Sequence, residues 1–535
     1  MGYHNPRWMS AVVGSAVLLC GATAGALWGE RTIPEKERAT VQRASRVVVN
    51  LLEWLPEEEE PSDIVYDGIQ GMLEILDPHS NFLDPRSFEK MRERQEGSFF
   101  GIGIIISRRD GKVTVIAPMA GTPAAAKGLR AGDVIAAVDG ELTEELTLDD
   151  VVDRVRGPEG SAVKLTIERP GLKEALEIEI NRARIPTNTV RFAFMLRDGV
   201  GYLRLSEFAN TSVREVHEAL DRLAGAGMEK LIFDLRDNPG GPLDAAVGVA
   251  DTFLRKGDLI VSTRGRTEDS VATIGAPGEG SNFYGPLIVL VNEGSASASE
   301  IVAGAVQDHD RGLVLGETTW GKGLVQTVFT VRDTGLALTT ARYYTPSGRC
   351  IQRDYESYVD YVTHRNGNQS ADSSAAVFHT DVGRSVLGGG GITPDITVET
   401  REIPEGVARL FGQAAFFRFA VQYLQQIPSE RHAEIATGFE ASGEVMSKFW
   451  SFVDDTDMLA QEDVAILQAD PWSLETVGRA IESEVLNATV GLEAGYQVAI
   501  EGDDQLQTSI LHLDAAADLL AAWQRASAER RASDD

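Results

Sequence analysis

The sequence predicts a multidomain α/β protein in which four regions follow a short N-terminal segment. Its 535 residues exceed what one ordinary core accommodates, so two to four domains are expected. Short β runs between Gly, Asp and Pro turns begin near Gly97, and strands alternate with helices over roughly 187–400. Residues 404–535 carry helical periodicity instead. We therefore expect an N-terminal helical region, a small β domain, an α/β layered core and a C-terminal helical extension.

The N-terminal segment, residues 1–29, is predicted to be a signal anchor or a signal peptide. Residues 9–28 are uncharged and long enough to span a bilayer, and Arg7 before them keeps the N-terminus in the cytoplasm. Residues 22–24 (Ala-Thr-Ala) also fit a signal-peptidase site, so cleavage stays open. In both cases we expect the remainder to be exported to the cell envelope or periplasm, with the inner membrane as the partner of residues 9–28.

The next two regions differ in hydrophobic pattern. Residues 30–97 are predicted to be helical, with apolar residues at helical spacing until Asp77–Ser80 breaks the pattern. Residues 98–186 are predicted to form a β domain with two short helices. Its predicted strands are Ile102–Ile106, Val113–Ile116, Val134–Val138, Val163–Ile167 and Ala175–Ile180, and its predicted helices are Pro123–Gly128 and Leu148–Val155.

Residues 187–403 are predicted to form the layered core, because strands there alternate with helices. Strands Val200–Leu205 and Leu231–Leu235 flank an amphipathic helix, Ser212–Ala226. The apolar strand Leu287–Val291 leads into a serine-rich segment. Further strands are predicted at Val325–Val331 and Ala337–Tyr344, and residues 404–535 complete the chain as a helical extension.

Composition excludes several classes of function. The formal net charge of −31 argues against nucleic acid as a partner. Cys20 and Cys350 form no disulfide framework and no metal-binding spacing. None of the eight histidines lies in a metal-binding motif, so no metal and no cofactor are expected. A Ser-His-Asp arrangement through His217 or His309 has no local support.

The serine-rich segment Gly294–Glu300 is the first candidate for chemistry. Ser297 follows a predicted strand and precedes a predicted helix, where free backbone N–H groups can bind a developing oxyanion. Serines at such a position also cap helices without any catalytic role, and the serine alone does not separate these alternatives.

Lys322 stands 25 residues after Ser297, between Gly321 and Gly323. A neutral lysine amine can take the proton of a serine hydroxyl, which requires a lowered pKa and hence uncharged surroundings. In an extended chain Gln326 would project on the same face as Lys322. The alternative is a surface lysine in a turn.

A third segment, Asp234–Gly241, closes the predicted strand Leu231–Leu235 with a glycine pair. Gly240 and Gly241 would let a backbone N–H approach a reacting carbonyl closely, although a plain tight turn has the same signature. In contrast, Ser87–Lys90 fits the SxxK pattern of penicillin-binding enzymes without their companion triplets, and we interpret it as chance.

Together, Ser-Ala-Ser-Ala-Ser-Glu, Gly-Lys-Gly-Leu-Val-Gln and Asp-Leu-Arg-Asp-Asn-Pro-Gly-Gly resemble the carboxy-terminal processing peptidases, or tail-specific proteases. The resemblance covers roughly residues 40–400. It implies that Ser297 is the nucleophile, Lys322 its general base and Gln326 the residue that positions the lysine. It also implies an oxyanion hole from Ala298 and a glycine of the pair Gly240–Gly241. Asp308 matches an acidic position with a structural role in some members.

Residues 98–186 resemble a PDZ domain inserted before the protease core. Phe100, Gly101, Ile102 and Gly103 match its carboxylate-binding loop, and residues 128–135 match a second signature. Such a loop offers backbone N–H groups to a terminal carboxylate while a strand edge pairs with the extended tail. The resemblance therefore implies that C-terminal tails of proteins bind here.

Three features depart from the family pattern. Asp237 stands where asparagine is common, which adds a negative charge near the expected oxyanion hole. Cys350 replaces the serine that is usual after Gly-Arg. Residues 405–535 match nothing in the family. The alternatives for them are a helical extension that binds another copy or a regulatory partner, a regulatory cap, and packing that stabilises the core.

We therefore expect an exported serine endopeptidase that recognises C-terminal tails and cleaves through an acyl-enzyme on Ser297. The alternative is a non-catalytic PDZ scaffold, which would have no use for Ser297, Lys322 and Gln326 together. If Lys322 is the base, activity should rise with pH along a limb below about 10.4. The open point is whether Ser297 and Lys322 are aligned at rest.

Overall fold

The computed structural model describes residues 35–56, 60–109, 111–278, 283–354, 376–428, 435 and 438–534. The predicted membrane segment, residues 9–28, lies outside these residues. No helix within the described ranges is both long and apolar enough to cross a membrane. The chain divides into two compact units: residues up to Phe88 with Gln326–Thr339, and Glu89–Val325 with Thr340–Asp535.

The N-terminal region is helical with one interruption. Its elements are α1 (Glu35–Glu53), α2 (Pro61–Leu73), β1 (Asn81–Leu83) and α3 (Pro85–Glu96). The predicted N-terminal helical region is confirmed, and β1, which pairs antiparallel with Gly335–Ala337, interrupts it just after the predicted break. The predicted break at Asp77 is confirmed, because its carboxylate accepts from the N–H groups of His79 and Ser80 at 2.8 Å and closes a turn there.

The β domain consists of β2 (Ser98–Gly101), β3 (Ile104–Arg109), β4 (Lys112–Pro118), α4 (Pro123–Ala126), β5 (Val134–Val138), β6 (Glu141–Leu142), α5 (Leu148–Val155), β7 (Ala162–Glu168), β8 (Leu176–Asn181) and β9 (Ala183–Pro186). Its main sheet has the order β3-β4-β5-β7-β8, with β6 on β5, and β2 pairs with β9. Strand β3 therefore lies at a sheet edge. Both predicted helices are present, whereas Ile102 and Gly103 precede β3 instead of belonging to it.

The layered core contains β10 (Val190–Arg197), β11 (Val200–Leu205), α6 (Ser212–Gly225), β12 (Lys230–Asp234), α7 (Leu243–Asp251), β13 (Leu259–Gly265), β14 (Ala272–Gly275), β15 (Leu287–Val291), α8 (Ala298–Asp308), β16 (Leu313–Gly316), β17 (Leu324–Val331), β18 (Thr334–Tyr344), β19 (Val377–His379), β20 (Ser385–Leu387) and β21 (Ile396–Thr397). The order β10-β11-β12-β15-β16-β21 forms the central sheet, which is parallel except for β10.

Both faces of the central sheet are covered, as parallel sheets require. Leu203, Phe233 and Val289 face one side and pack with α6, α7 and α8. Alternate residues such as Ile232 and Ile288 face the other side, where residues of the C-terminal extension cover them. The extension thus completes the core that the preceding residues leave open.

The extension is helical, as predicted. Its helices are α9 (Glu405–Gly412), α10 (Ala415–Gln425), α11 (Gly443–Asp455), α12 (Gln461–Ala469), α13 (Pro471–Thr489), α14 (Leu492–Ala499), α15 (Asp504–Leu511) and α16 (Leu513–Asp534). Residues from α9 to α13 share a hydrophobic core of their own, in which the rings of Phe416 and Phe449 stack with centroids 5.2 Å apart. Ile500, Leu506 and Leu513 pack on the central sheet instead.

Candidate active site

Two loops meet at the carboxyl edge of the central sheet, where neighbouring parallel strands end. Strand β12 pairs with β15, with Asp234 opposite Leu290. The glycine loop, residues 235–241, follows β12, and the segment 292–297 follows β15. The N–H of Ala296 donates to the carbonyl of Asn238 at 3.0 Å and joins the two loops. Ligands of open α/β sheets bind at this edge, so the sheet itself places the candidate residues.

Ser297 occupies a strained turn between β15 and α8. Its φ and ψ are 55° and −110°, and the N–H of Ser299 donates to the carbonyl of Ala296 at 3.1 Å. These values belong to the first central position of a type II′ turn, which glycine normally fills. We name Ala296–Ser299 the serine turn. A serine held in such a conformation costs about 1 to 3 kcal/mol, which is characteristic of functional sites.

Glu300 joins the serine turn to the lysine segment, residues 319–323. Its carboxylate is fully buried and accepts from the N–H groups of Ser297 at 2.7 Å, Gly321 at 2.7 Å and Lys322 at 2.9 Å. The hydroxyl of Thr319 donates a fourth bond at 2.6 Å. Burial raises the pKa of Glu300, and these four donors oppose that shift. One side chain therefore fixes the backbone on both sides of the candidate pair.

Lys322 is half-buried and lies just before β17. The packing around it requires glycine at both neighbouring positions. A Cβ on Gly321 would lie 2.9 Å from Cβ of Arg353, and the φ of 87° there also favours glycine. A Cβ on Gly323 would lie 2.7 Å from the nitrogen of Gln352. Backbone packing, as well as any chemistry, thus explains the Gly-Lys-Gly pattern.

Gly240 lies directly against the serine turn. A Cβ there would be 2.8 Å from both Cβ of Ser297 and the nitrogen of Ala298. The N–H of Gly240 donates to Oδ1 of Asn238 at 2.9 Å, so it is already engaged. Ala298 is the first residue of α8, where no intrahelical acceptor exists for its N–H. Of the predicted glycine pair, Gly241 is therefore the better candidate donor beside Ala298.

Comparisons with known proteins identify the family of this chain. The model of peptidase family S41 matches residues 199–398, and a PDZ domain model matches residues 114–169. The carboxy-terminal-processing protease of Bartonella bacilliformis is 41% identical over 303 residues, which cover 56% of this chain and 68% of that protein. This chain belongs to peptidase family S41.

A second curated relative and one solved structure are also similar to this S41 peptidase. The carboxyl-terminal-processing protease of a Synechocystis species is 38% identical over 298 residues, or 54% of this chain and 68% of the relative. A solved photosystem II D1 C-terminal processing protease is 30% identical and covers 65% of this chain and 84% of that one, with a TM-score of 0.34. The family assignment makes the protein a serine-type peptidase with a PDZ domain.

Gln326 of the S41 peptidase lies in β17, so the predicted extended conformation is confirmed at this residue. Its carboxamide Nε2 donates to the carbonyl of His79 at 2.5 Å. Both residues belong to the first compact unit. The amide donor of Gln326 is thus engaged with the turn that precedes β1.

Asp308 lies at the buried end of α8 and forms a buried ion pair. Its Oδ1 accepts from Nη2 of Arg349 at 2.7 Å, and its Oδ2 accepts from the N–H of Ser347 at 3.0 Å. Both charged side chains are inaccessible to solvent. The contacts hold the segment 345–349 against α8, far along the helix from Ser297, which fits the structural role that the family resemblance implies.

The next residue, His309, contacts two acceptors in this S41 peptidase. Its Nδ1 lies 2.8 Å from Oδ2 of Asp381 and its Nε2 lies 2.7 Å from the carbonyl of Leu259. Both ring nitrogens must carry a proton to satisfy these partners, so the imidazolium form is favoured. Burial opposes the charge, but Asp381 outweighs it and raises the pKa of His309. His309 is therefore placed for stability, away from the serine turn.

The predicted carboxylate-binding residues of the PDZ domain form the connection between β2 and β3. Phe100 and Gly101 end β2, while Ile102 and Gly103 form the turn into β3. The carbonyls of Ile102 and Gly103 accept from the N–H groups of Ala124 and Met119 at 2.9 Å. These bonds fix the loop beside β3, which is an edge strand of the main sheet of the domain.

Asp237, which departs from the family pattern, has its side chain on the solvent side of the glycine loop. It is 66% exposed, and its Oδ2 accepts from Arg204 at 3.2 Å while its Oδ1 accepts from Asn292 at 2.8 Å. Its φ of 58° lies in the left-handed region, which asparagine and aspartate tolerate best. The conformation therefore explains why either residue fits there.

Sequence reasoning missed the two residues that assemble the site, Glu300 and Asn238. The Ser-x-x-Glu spacing of Ser297 and Glu300 is a capping-box signal, and it predicts the bond from the Ser297 N–H to the glutamate. The other hydrogen bonds of Glu300, to the lysine segment, have no local signal in the sequence. The backbone carbonyl of Asn238 accepts from Oγ of Ser299 at 2.9 Å, and this contact also arises only from the tertiary fold.

Proposed function

We propose that this S41 peptidase captures C-terminal tails of proteins in its PDZ domain and cleaves them through a Ser297–Lys322 acyl-enzyme. The observation that carries the proposal is the Glu300 carboxylate, which bonds the backbone of both residues from one buried position. A scaffold that only binds tails gains nothing from this link. It also gains nothing from a serine held in a glycine conformation.

The proposed reaction proceeds in two halves. The neutral amine of Lys322 takes the Oγ proton of Ser297 while Oγ attacks the scissile carbonyl carbon. The tetrahedral intermediate collapses, and the leaving amine takes the proton from the lysine. Water then attacks the ester and gives a proton to Lys322, which returns it to Oγ as the acid product leaves.

The negative oxygen of the tetrahedral intermediate requires hydrogen-bond donors. The N–H groups of Ala298 and Gly241 are the proposed pair, because the N–H of Gly240 is engaged by Asn238. Removing one such donor from a serine protease typically costs about 10²- to 10³-fold in kcat. Gly240 serves instead as the close-packed residue that lets the glycine loop reach the serine turn.

Tail recognition is assigned to the edge of β3 and the loop Phe100–Gly103. An edge strand can pair with an extended peptide through backbone hydrogen bonds. The Gly103→Val substitution tests this, because its Cβ would collide with Thr122. Gly111→Val is the matched control, since Gly111 has φ of 78° against 80° at Gly103 but no atom within 4 Å of its Cβ. Only Gly103→Val should lose tail binding, with Ser297 still labelled by a small fluorophosphonate.

The test of the chemistry compares wild type, Ser297→Ala and Lys322→Ala on an unstructured protein with an apolar tail. Ser451→Ala and Lys448→Ala are matched controls, because both side chains lie on an exposed face of α11. We expect cleavage by wild type and both controls, and none by the two site variants. Equal cleavage by all five proteins would refute the Ser-Lys mechanism. Cleavage by none, with tail binding intact, would favour the alternative of a PDZ scaffold.

We further propose that the protein is exported and that residues 9–28 carry it to the membrane. The support is the uncharged sequence of that segment and the preceding Arg7. Fractionation of cells that express the full chain, with and without residues 9–28, tests the proposal. Equal recovery of both forms in the cytosolic fraction would refute it.

A further inference from the structure

We propose that the C-terminal extension positions the glycine loop for catalysis, acting through Arg236. The inference rests on the proposed function, because it assigns the extension a part in holding the oxyanion donors. It names three positioning residues, Tyr496, Asp503 and Gln505, none of which belongs to the sequence range that resembles the protease family.

Arg236 lies in the glycine loop, four residues before Gly240, and its side chain is only 10% exposed. Its Nε and Nη2 donate to the two carboxylate oxygens of Asp234 at 3.0 and 2.7 Å. Asp234 is fully buried at the end of β12. This paired contact directs the remaining guanidinium nitrogen, Nη1, away from the central sheet and toward the extension.

The partners of Nη1 come from the extension. Oδ2 of Asp503 lies 2.6 Å from it and Oε1 of Gln505 lies 3.1 Å from it. Gln505 is itself buried, and its Nε2 donates to the carbonyl of Val398 at 2.9 Å. Asp503 also caps α15 through the N–H of Leu506. Asp503 is therefore held by a helix of the extension, and Gln505 is held by the backbone just before the extension.

Tyr496 adds a second link between the extension and the strand ends. Its hydroxyl lies 2.8 Å from that of Tyr202, which contacts Asp234 at 2.6 Å, and it accepts from Arg204 at 2.7 Å. Its ring stacks on Phe192 with centroids 3.8 Å apart. Arg204 in turn reaches the glycine loop through Oδ2 of Asp237 at 3.2 Å.

The glycine loop transmits this restraint to the serine turn by direct bonds. Oγ of Ser295 donates to the carbonyl of Leu235, next to Arg236, at 2.8 Å. The carbonyl of Asn238 accepts from Ala296 at 3.0 Å and from Oγ of Ser299 at 2.9 Å. Any rotation of the loop at Arg236 would therefore shift Gly241 relative to Ser297.

The charges explain why Asp503 matters for the position of the glycine loop more than for folding. Without it, two arginines, Arg204 and Arg236, share the single buried carboxylate of Asp234. Arg204 also bonds to the exposed Asp237, whereas Asp503 supplies the second carboxylate that contacts Arg236 and draws its guanidinium to one fixed place. If Asp503 loses its charge, Arg236 still pairs with Asp234, so the fold survives while the loop gains freedom.

The experiment compares Asp503→Asn and Tyr496→Phe with wild type in the full chain. Asparagine retains the helix cap at position 503, and phenylalanine retains the ring stack at position 496. Asp504→Asn is the matched control, because it removes a neighbouring exposed carboxylate. The readouts are kcat and KM on a tailed substrate, tail-peptide affinity, thermal unfolding, and amide hydrogen exchange of residues 235–241.

We expect the two test variants to lose about 10- to 100-fold in kcat, because a misplaced oxyanion donor costs this much. KM and tail affinity should stay within about twofold, Tm within about 2 °C, and exchange in residues 235–241 should accelerate. The control and Asp503→Glu, which restores the charge, should retain far more activity than Asp503→Asn.

Several outcomes overturn the proposal. An unchanged kcat in both test variants would overturn it. A loss of activity that is explained by a lower Tm would also overturn it. If amide hydrogen exchange in residues 235–241 is faster while kcat equals that of wild type, the extension restrains the glycine loop but catalysis does not depend on this restraint, and the proposal is refuted. If wild type has no turnover that depends on Ser297, the proposed function itself has failed, and the exchange measurement still decides whether the extension restrains the loop.

Discussion

The Glu300→Gln substitution tests how the active site is assembled. In the wild type, Oε1 accepts from Thr319 and Gly321, while Oε2 accepts from the N–H groups of Ser297 and Lys322. All four partners donate, and the carboxylate only accepts. A glutamine must place its NH2 group at one of the two positions, where it meets donors.

The geometry decides which position the amide takes and what the change costs. At the Oε2 position the NH2 would face two backbone N–H groups. At the Oε1 position it would face the N–H of Gly321 and the hydroxyl of Thr319, which can rotate. The second orientation leaves one orphaned N–H at about 1 to 3 kcal/mol, and we expect a loss of about 2 kcal/mol in the free energy of unfolding.

The same orientation keeps the bonds to Ser297 and Lys322, now from a neutral oxygen. We therefore expect fluorophosphonate labelling of Ser297 to slow only about tenfold, because neutral bonds are roughly half as strong as charge-assisted ones. Glu300→Ala orphans three backbone N–H groups, a cost of about 3 to 9 kcal/mol that approaches the total stability of many domains. It should unfold readily.

Urea denaturation and the labelling rate measure the two effects separately. Glu293→Gln is the control, because Glu293 is an exposed glutamate in the same connection between β15 and α8. If Glu300→Gln matches wild type in both measurements, the carboxylate does not hold the site together. If Glu300→Gln loses stability but Ser297 is labelled at the wild-type rate, Glu300 contributes to folding and not to the reactivity of Ser297.

Three further predictions concern the helix that follows the serine. Ser297→Gly should be more stable than Ser297→Ala by about 1 kcal/mol in urea denaturation, because glycine tolerates φ of 55°; equal stability would contradict strain at this position. Since Asp381 raises the pKa of His309, the histidine stabilises the fold fully below pH 6.5, and this contribution is lost as pH rises through the raised pKa; His309→Gln should flatten that dependence of Tm on pH. Asp308→Asn leaves the buried Arg349 charge without its carboxylate and should cost about 3 to 5 kcal/mol in unfolding experiments, with an unchanged value ruling out the structural role.

Local signals in the sequence were sufficient for most of the secondary structure. The α5 helix and the β15 strand match their predicted ranges, because each has a strong period and clear turn residues at its ends. The apolar pattern predicts a strand that includes Ile102 and Gly103, but both residues lie outside it, because the φ of Gly103 is 80°. Apolar runs alone do not reveal such a turn.

The site was predictable where its residues share short motifs. Ser297 and Lys322 stand out through their glycine and small-residue neighbours, whereas the contacts of Glu300 with the lysine segment require the tertiary fold. The helical extension was predicted, but its place on the second face of the central sheet was not. Its contacts to Arg236 span 267 residues to Asp503 and 269 to Gln505, and no periodicity encodes a pairing over that distance.

This separation has a consequence for synthesis. A ribosome completes the serine turn and the glycine loop about 200 residues before it reaches Asp503, which at 5 to 20 residues per second is a delay of about 10 to 40 s. During that interval one face of the central sheet is uncovered and Arg236 lacks its outer partners. Under the proposed mechanism, a nascent chain therefore carries the proposed nucleophile Ser297 before the extension can restrain the glycine loop, and the order of translation would delay proteolysis until the extension has docked.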